Sequence, residues 1–287
     1  MGHTISRRIL SLVFVLFSVT FLTFVVSYLA PGDPILNMMG GRQDPVRYAF
    51  LRHLYGLDKP WLLQYLTYVG NLARGNLGYS FKYPERPVWE LIATGVPVSL
   101  QLGLLALVFS ISVGVLAGVL AALWQNTWRD TAIMSVMLAL YSVPSFVIIP
   151  LAWAIDLALY RAGWPSLPVA GWGKPEQAIL PVFVLAAANV GFIARLMRNS
   201  MLQVMREDFI RTARAKGLPW RITIRRHVLR NALLPLLTVL GPATAFLVTG
   251  AFVVENLFAI PGVGYLAVQS IGQRDYPVIQ ATTLLLA

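Results

Sequence analysis

From Ile9 to Leu29 the chain carries 21 consecutive residues without a charge. A helix needs roughly 20 such residues to cross the ~30 Å hydrocarbon core of a bilayer. Lipid offers backbone N–H and C=O groups no partner, so a run of this kind must be helical. Further apolar stretches follow at about Val98–Trp124, Thr131–Leu159, Ala178–Ala194 and Ala232–Val254. Hydrophobic residues make up 57% of the chain and charged ones 12%, against about 45–50% and 25% in globular domains. An all-α polytopic membrane protein is predicted.

Arg7 and Arg8 precede the first run, as they would in a signal peptide. The run is longer than a signal-peptide core, however, and Tyr28 occupies the −3 position of the obvious cleavage point after Ala30. The reading is therefore a cytoplasmic N-terminus at 1–8 and an uncleaved first transmembrane helix at 9–30. Ala30-Pro31-Gly32-Asp33-Pro34 ends that helix, because proline and glycine break it. Residues 31–97 read as an extracytoplasmic segment, with amphipathic signals such as Pro60-Trp61 leading into Leu62, Leu63, Leu66 and Val69. Its seven Lys/Arg are compatible with that side, since segments longer than about 60 residues escape the positive-inside rule. Residues 98–287 read as the transmembrane core.

In the second span Ala106, Ser110, Gly114, Gly118 and Ala122 recur every four residues and form one small-residue stripe. Small side chains let helix backbones approach in lipid, so these five read as helix-packing residues. The third span should kink at Pro144 and Pro150, with Asp156 near its outer end snorkelling or pairing with Arg161. Pro235, Gly241-Pro242 and Gly250 should bend the fifth, and Glu255–Tyr276 should lie outside. The ten residues Val278–Ala287 would rise only ~15 Å, which predicts a sixth span truncated in this sequence. Short loops assigned to the inside hold 13 Lys/Arg and those assigned to the outside 3, as the positive-inside rule asks. The pI of about 10.3 is explained by this bias, without nucleic acid.

Ten of those basic residues lie between Arg195 and Arg230, in a loop spanning 195–231. Within it, Leu202, Met205, Phe209 and Ala213 share one helical face by their spacing. Gly217 falls where a helix end takes positive φ, and Pro219 suits the first turn of a following helix. A short amphipathic helix fixed by a glycine stop on the cytoplasmic side is a docking surface.

The strings RTARAKGL and RRHVLRNALLP resemble the cytoplasmic "EAA" loop of permease subunits in binding-protein-dependent ABC importers. Arg211-Thr212-Ala213 stands where the broad pattern has Glu-Ala-Ala, and this version resembles the oligopeptide/dipeptide/nickel branch, B-type. APGDP, LYGLDKPWLLQY, GNLGYSFKYPERPVWE, Ile260-Pro261-Gly262-Val263-Gly264-Tyr265, Gly241-Pro242-Ala243 and Thr249-Gly250 are similar to the same permeases, with SFKY leaning to the oligopeptide branch. The resemblance implies the type I importer fold, about six transmembrane helices and a place in the bacterial cytoplasmic (inner) membrane. It makes Glu207, Asp208, Phe209, Arg211, Thr212, Ala213, Arg214, Ala215, Lys216 and Gly217 the ATPase-coupling loop. It also implies as partners a second homologous permease in a heterodimer, two cytoplasmic ATPases and an extracytoplasmic peptide-binding protein. The expected substrate is a peptide, oligopeptides first, with dipeptides, nickel or other small solutes as the alternative.

GxxxxGK[ST], HExxH and GxSxG do not occur, and the three histidines lie far apart without ligand spacing. No cofactor or metal is expected in this chain; ATP and Mg belong to the partner ATPases. An ion-coupled secondary transporter would need membrane acids or broken-helix ion sites in two related halves, and neither is visible. An intramembrane enzyme would need catalytic groups that are likewise not visible.

Overall fold

The structure is a computed structural model and describes residues 2–39 and 44–287, with the side chains of 2–5, 242, 243 and 245–250 outside the described set. In chain order its helices are α1 (Gly2–Leu29), α2 (Pro34–Met38), α3 (Pro45–Leu54), α4 (Trp61–Ala73), α5 (Val88–Leu123), α6 (Trp128–Ser142), α7 (Ser145–Arg161) and α8 (Pro175–Val204). There follow α9 (Asp208–Ala215), α10 (Trp220–Thr223), a π-helical turn (Ile224–Val228), α11 (Leu229–Ala232), α12 (Leu234–Leu257), α13 (Val263–Gln273) and α14 (Tyr276–Leu286).

Among the described residues, Ser6–Leu29, Val88–Leu123 and Pro175–Val204 are long and apolar enough to cross a membrane. The pair α6 and α7 makes a fourth if it is one broken span. α14 is a shorter apolar helix of 11 residues. The 24-residue α12 contains Pro242, Ala243, Thr249 and Gly250, whose side chains fall outside the described residues. Pro235 starts α12 rather than bending it, because a proline in the first turn costs no helical hydrogen bond. The third span is more than kinked. Val143 and Pro144 take extended backbone, and the axes of α6 and α7 turn by 114°.

The chain divides into two compact units, Met1–Val98 with Pro261–Ala287, and Ser99–Ile260. In the first, α1 packs against α4 and α14, and α13 against α14. Phe17, Phe21 and Phe24 of α1 gather around the Tyr65 ring with centroids 5.2–6.1 Å away. Val88, Leu91 and Ile92 of α5 pack against Val278 and Ala281 of α14. The buried Asp275 carboxylate accepts the Ser80 hydroxyl and the N–H groups of Phe81 (2.9 Å) and Lys82 (3.2 Å). It thereby ties the loop before α5 to the start of α14.

In the second unit α8 is the central element, packing against α6, α7, α11 and α12. The stripe on α5 is buried, and its two glycines lie against α8. A methyl at Gly114 would come within 2.8 Å of the Ile193 side chain, and one at Gly118 within 2.5 Å of the Ala194 carbonyl oxygen. On another side of α8, a methyl at Gly191 would stand 2.2 Å from the Met137 carbonyl oxygen of α6. Lower down, Arg198 grips Asp130 with two parallel bonds, Nε to Oδ1 at 2.7 Å and Nη2 to Oδ2 at 2.6 Å.

Two acids differ from their sequence reading. Asp156 does not pair with Arg161. It is buried and accepts the Ser166 hydroxyl at 2.9 Å and the Leu167 N–H at 3.0 Å, because the chain after α7 folds back over it. Glu255 is a helix residue at the end of the fifth span: α12 continues to Leu257, and Glu255 is 0% exposed and accepts the Ser99 hydroxyl at 2.6 Å.

Gly118→Ala and Gly191→Ala should each lower the thermal midpoint of the purified protein, by the about 1–3 kcal/mol typical of overpacking. Gly103→Ala, whose new methyl meets nothing within 4 Å, should not lower it. Equal losses at all three positions would remove the packing argument. Asp275→Ala takes the acceptor from three donors of residues 80–82 and should expose that loop to limited proteolysis; an unchanged digestion pattern would refute its tethering role.

Candidate functional site

The basic loop after α8 folds as a short helix held between two anchors. α9 begins with Asp208, and Glu207 stands before it in extended conformation. Both carboxylates lie at the positive end of the helix dipole. Arg211 reaches back to Asp208 at 3.2 Å, an exposed pair worth about 0–1 kcal/mol. Thr212 gives its hydroxyl to the Asp208 carbonyl at 3.0 Å.

The end of α9 is a Schellman closure. Gly217 has φ +80°, its N–H bonds to the Arg214 carbonyl at 2.9 Å, and the Leu218 N–H bonds to the Ala213 carbonyl at 3.3 Å. That φ favours glycine, as the sequence predicted for this position. Space is not the constraint, for a Cβ at Gly217 would meet nothing within 4 Å. After the turn Arg214 lies over the Trp220 ring, 4.4 Å from its centroid, joining α9 to α10.

The inward face of α9 differs from the one the spacing predicted. Ile210 (1% exposed) and Ala213 (7%) point into the chain's own core, whereas Phe209 is 45% exposed. Ile210 packs with Ala122, Met197, Met201, Val228 and Ala232. Ala213 is therefore not part of the outward surface. The reason is a break in phase: α8 ends at Val204 and α9 restarts at Asp208, so the periodicity carried from Leu202 and Met205 does not continue. Phe209, Arg211, Thr212, Arg214, Ala215 and Lys216 form the exposed remainder. A depression of about 500 Å³ beside the helix start is lined by Asn199, Leu202, Gln203, Arg206, Glu207 and Asp208.

Two features hold this loop to the bundle. Ser200 of α8 donates its hydroxyl to the Ala232 carbonyl of α11 at 2.8 Å. Between α10 and α11 the chain makes one π turn, in which the Leu229 N–H bonds to the Ile224 carbonyl. The sequence reading missed Ile210 as the inward anchor and Asp130 as the partner of Arg198. The three-residue spacing of Ile210 and Ala213 was the available signal for the first; nothing local signals the second.

The comparisons place this bundle of apolar helices, with its exposed, glycine-stopped loop helix, in a class of transport-system membrane subunits. Residues 114–287 match the family described as "Binding-protein-dependent transport system inner membrane component", and residues 1–103 match its N-terminal counterpart. The chain belongs to this family: it is a multi-pass inner-membrane component of a transport system that works with a binding protein. It is 42% identical over 283 residues to the oligopeptide transport system permease protein OppB of Haemophilus influenzae, covering 98% of this chain and 90% of that one. It is 40% identical over 288 residues to the dipeptide transport system permease protein DppB of Bacillus subtilis, covering 99% and 90%. It is 41% identical over 313 residues to the di/tripeptide transport system permease protein DppB of Pseudomonas aeruginosa, covering 99% and 91%. A solved chain of an amino acid ABC transporter crystallised with histidines shares the fold, with a TM-score of 0.52 and 19% identity over 69% of this chain and 86% of that one.

Ile210→Ala should destabilise the chain by about 2–5 kcal/mol, as deletion of a buried aliphatic side chain does. Phe209→Ala, at an exposed position, should leave the thermal midpoint of the isolated chain unchanged. The reverse order would mean that α9 sits the other way round.

Proposed function

We propose that this chain is the membrane-spanning permease subunit of an ATP-driven peptide importer. The observation that carries the reading is near-full-length identity of about 40% to permeases of dipeptide, di/tripeptide and oligopeptide transport systems. Peptide is the class these relatives share, and their lengths vary at nearly equal identity.

In this reading residues 1–8 are cytoplasmic, 9–30 cross the membrane, 31–97 are extracytoplasmic and 98–287 form the translocation core with its coupling loop at 195–231. The working unit holds a second homologous permease, two cytoplasmic ATPases that bind ATP and Mg, and a peptide-binding protein outside. Hydrolysis belongs to the ATPases, since this sequence holds no GxxxxGK[ST] motif. Support for the coupling role comes from α9 itself. Its inner side is fixed by Ile210 and Ala213, while Phe209, Arg211 and Arg214 face outward. An ATPase groove that covers the exposed half of Phe209 gains roughly half of the about 1.5–3 kcal/mol of full apolar transfer, at or above the about 0–1 kcal/mol of a rim charge pair. On the outer side, Gly262 and Val263 of the PGVG string lie so close to α5 that a methyl at Gly95 would stand 3.0 Å from their backbone. In the same reading, 31–97 and 261–264 receive peptide from the binding protein.

Proteoliposomes holding both permeases and both ATPases, supplied with binding protein and labelled peptide, test the reading. Uptake should require ATP, and peptide-loaded binding protein should stimulate hydrolysis. Gly217→Val should leave the complex assembled and hydrolysing while uptake falls at least tenfold, because a β-branched residue resists positive φ and misdirects the segment after α9. Phe209→Ala should weaken ATPase retention in a pull-down. A merely solvated basic loop would leave both variants silent.

A further inference from the structure

The first unit holds a cavity of about 760 Å³, formed by the outer end of α1, by α3 and α4 with the turns that follow them, and by the start of α14. Its volume lies in the about 300–1,000 Å³ range of sites for drug-sized ligands. The interior is built from neutral hydrogen-bonding groups and rings. Gln280 of α14 is 8% exposed, and its side-chain amide takes no partner among the described residues. The hydroxyls of Tyr68 and Tyr276 are buried and likewise have no hydrogen-bond partner. Burial pushes the Tyr68 phenol up to about 12, so it remains a donor at any physiological pH. Neither hydroxyl has accessible surface, so a ligand in the chamber meets these tyrosines through their rings, and the unpartnered Gln280 amide is the polar group that lines it.

Charge is distributed differently. Arg52 and Lys59 are exposed lining residues, and neither forms an ion pair among the described residues. Asp33, the carboxylate in the lining, is committed: it accepts the Tyr48 hydroxyl at 2.5 Å and the Ile35 N–H at 2.8 Å. The lining therefore offers an anion two accessible cations and offers a neutral polar body the Gln280 amide, with Phe24, Phe81 and the rings of Tyr68 and Tyr276 as walls. A lipid headgroup would satisfy the cations, but its acyl chains would leave Gln280 unpaired.

We propose that this cavity is a peptide site on the permease itself, binding the free C-terminal carboxylate through Arg52 and Lys59 and an adjoining backbone amide through Gln280, against the rings of Tyr68 and Tyr276. The proposal rests on the reading of the chain as a peptide permease. It adds that the permease discriminates peptide acids from peptides blocked at the C-terminus, independently of the binding protein.

The test uses the complete permease–ATPase complex in nanodiscs without binding protein, with radiolabelled trialanine and its C-terminal amide as probes. Trialanine should be retained, and its amide at least tenfold more weakly. The double variant Arg52→Ala/Lys59→Ala should remove that preference, and Gln280→Leu should weaken retention of acid and amide alike about tenfold. Tyr68→Phe, which keeps the ring and removes a hydroxyl that the cavity does not reach, should leave retention unchanged. Equal retention of acid and amide, indifference to the first two variants, or a tightly held phospholipid detected in the cavity by native mass spectrometry would each overturn the proposal. Peptide uptake by the wild-type complex with its binding protein separates the two readings. If uptake is normal and retention absent, the cavity site alone falls; if the wild type moves no peptide at all, the function reading falls with it.

Discussion

Helices in a bilayer gain little from hiding apolar surface from one another, since lipid tails are as apolar as leucine. Association then depends on how closely backbones approach and on which polar groups meet. The second unit depends on such approaches to α8. Gly114 and Gly118 bring α5 against one side of it, and Gly191 brings α6 against another, at distances where even a methyl group would collide. Arg198 fixes the α6 contact in rotation by its two-pronged bond to Asp130. Replacing one partner of such a part-buried pair leaves the other without its counter-charge, which costs more than the pair contributes.

Buried carboxylates recur at the places where the chain changes direction. Asp156 is satisfied by Ser166 and Leu167 where the chain leaves α7, and Asp275 by residues 80–82 where the chain enters α14. Each accepts neutral donors, Asp156 from the turn that follows its own helix and Asp275 from a segment distant in sequence, so each works as a local clamp. This differs from the paired intramembrane charges of an ion relay.

Much of this was legible in the sequence because it is periodic or stereochemical. A charge-free run of 21 residues can only be a helix in lipid, a small residue every fourth position makes a flat face, and a glycine after a short amphipathic helix takes positive φ. What escaped was non-local or depended on phase. Pro144 announces a disturbance, but whether a proline bends a helix or ends it is decided by what the next segment packs against, and here α6 and α7 part by 114°. The inward face of α9 was misread because the helical phase of Leu202 and Met205 was carried across a break. Asp130 and Arg198 stand 68 residues apart, and no spacing rule joins them.

The π turn between α10 and α11 bears on how motion could pass through the segment. Such a turn holds one residue more than an α turn, and each residue rotates the helix by about 100°. Exchanging the Leu229–Ile224 bond for its α-helical neighbour moves the surplus residue along the axis without unwinding the helix. Each such step turns only the residue it passes, by about 100°, so side chains between Trp220 and Ala232 can be re-aimed while the helices on either side keep their phase.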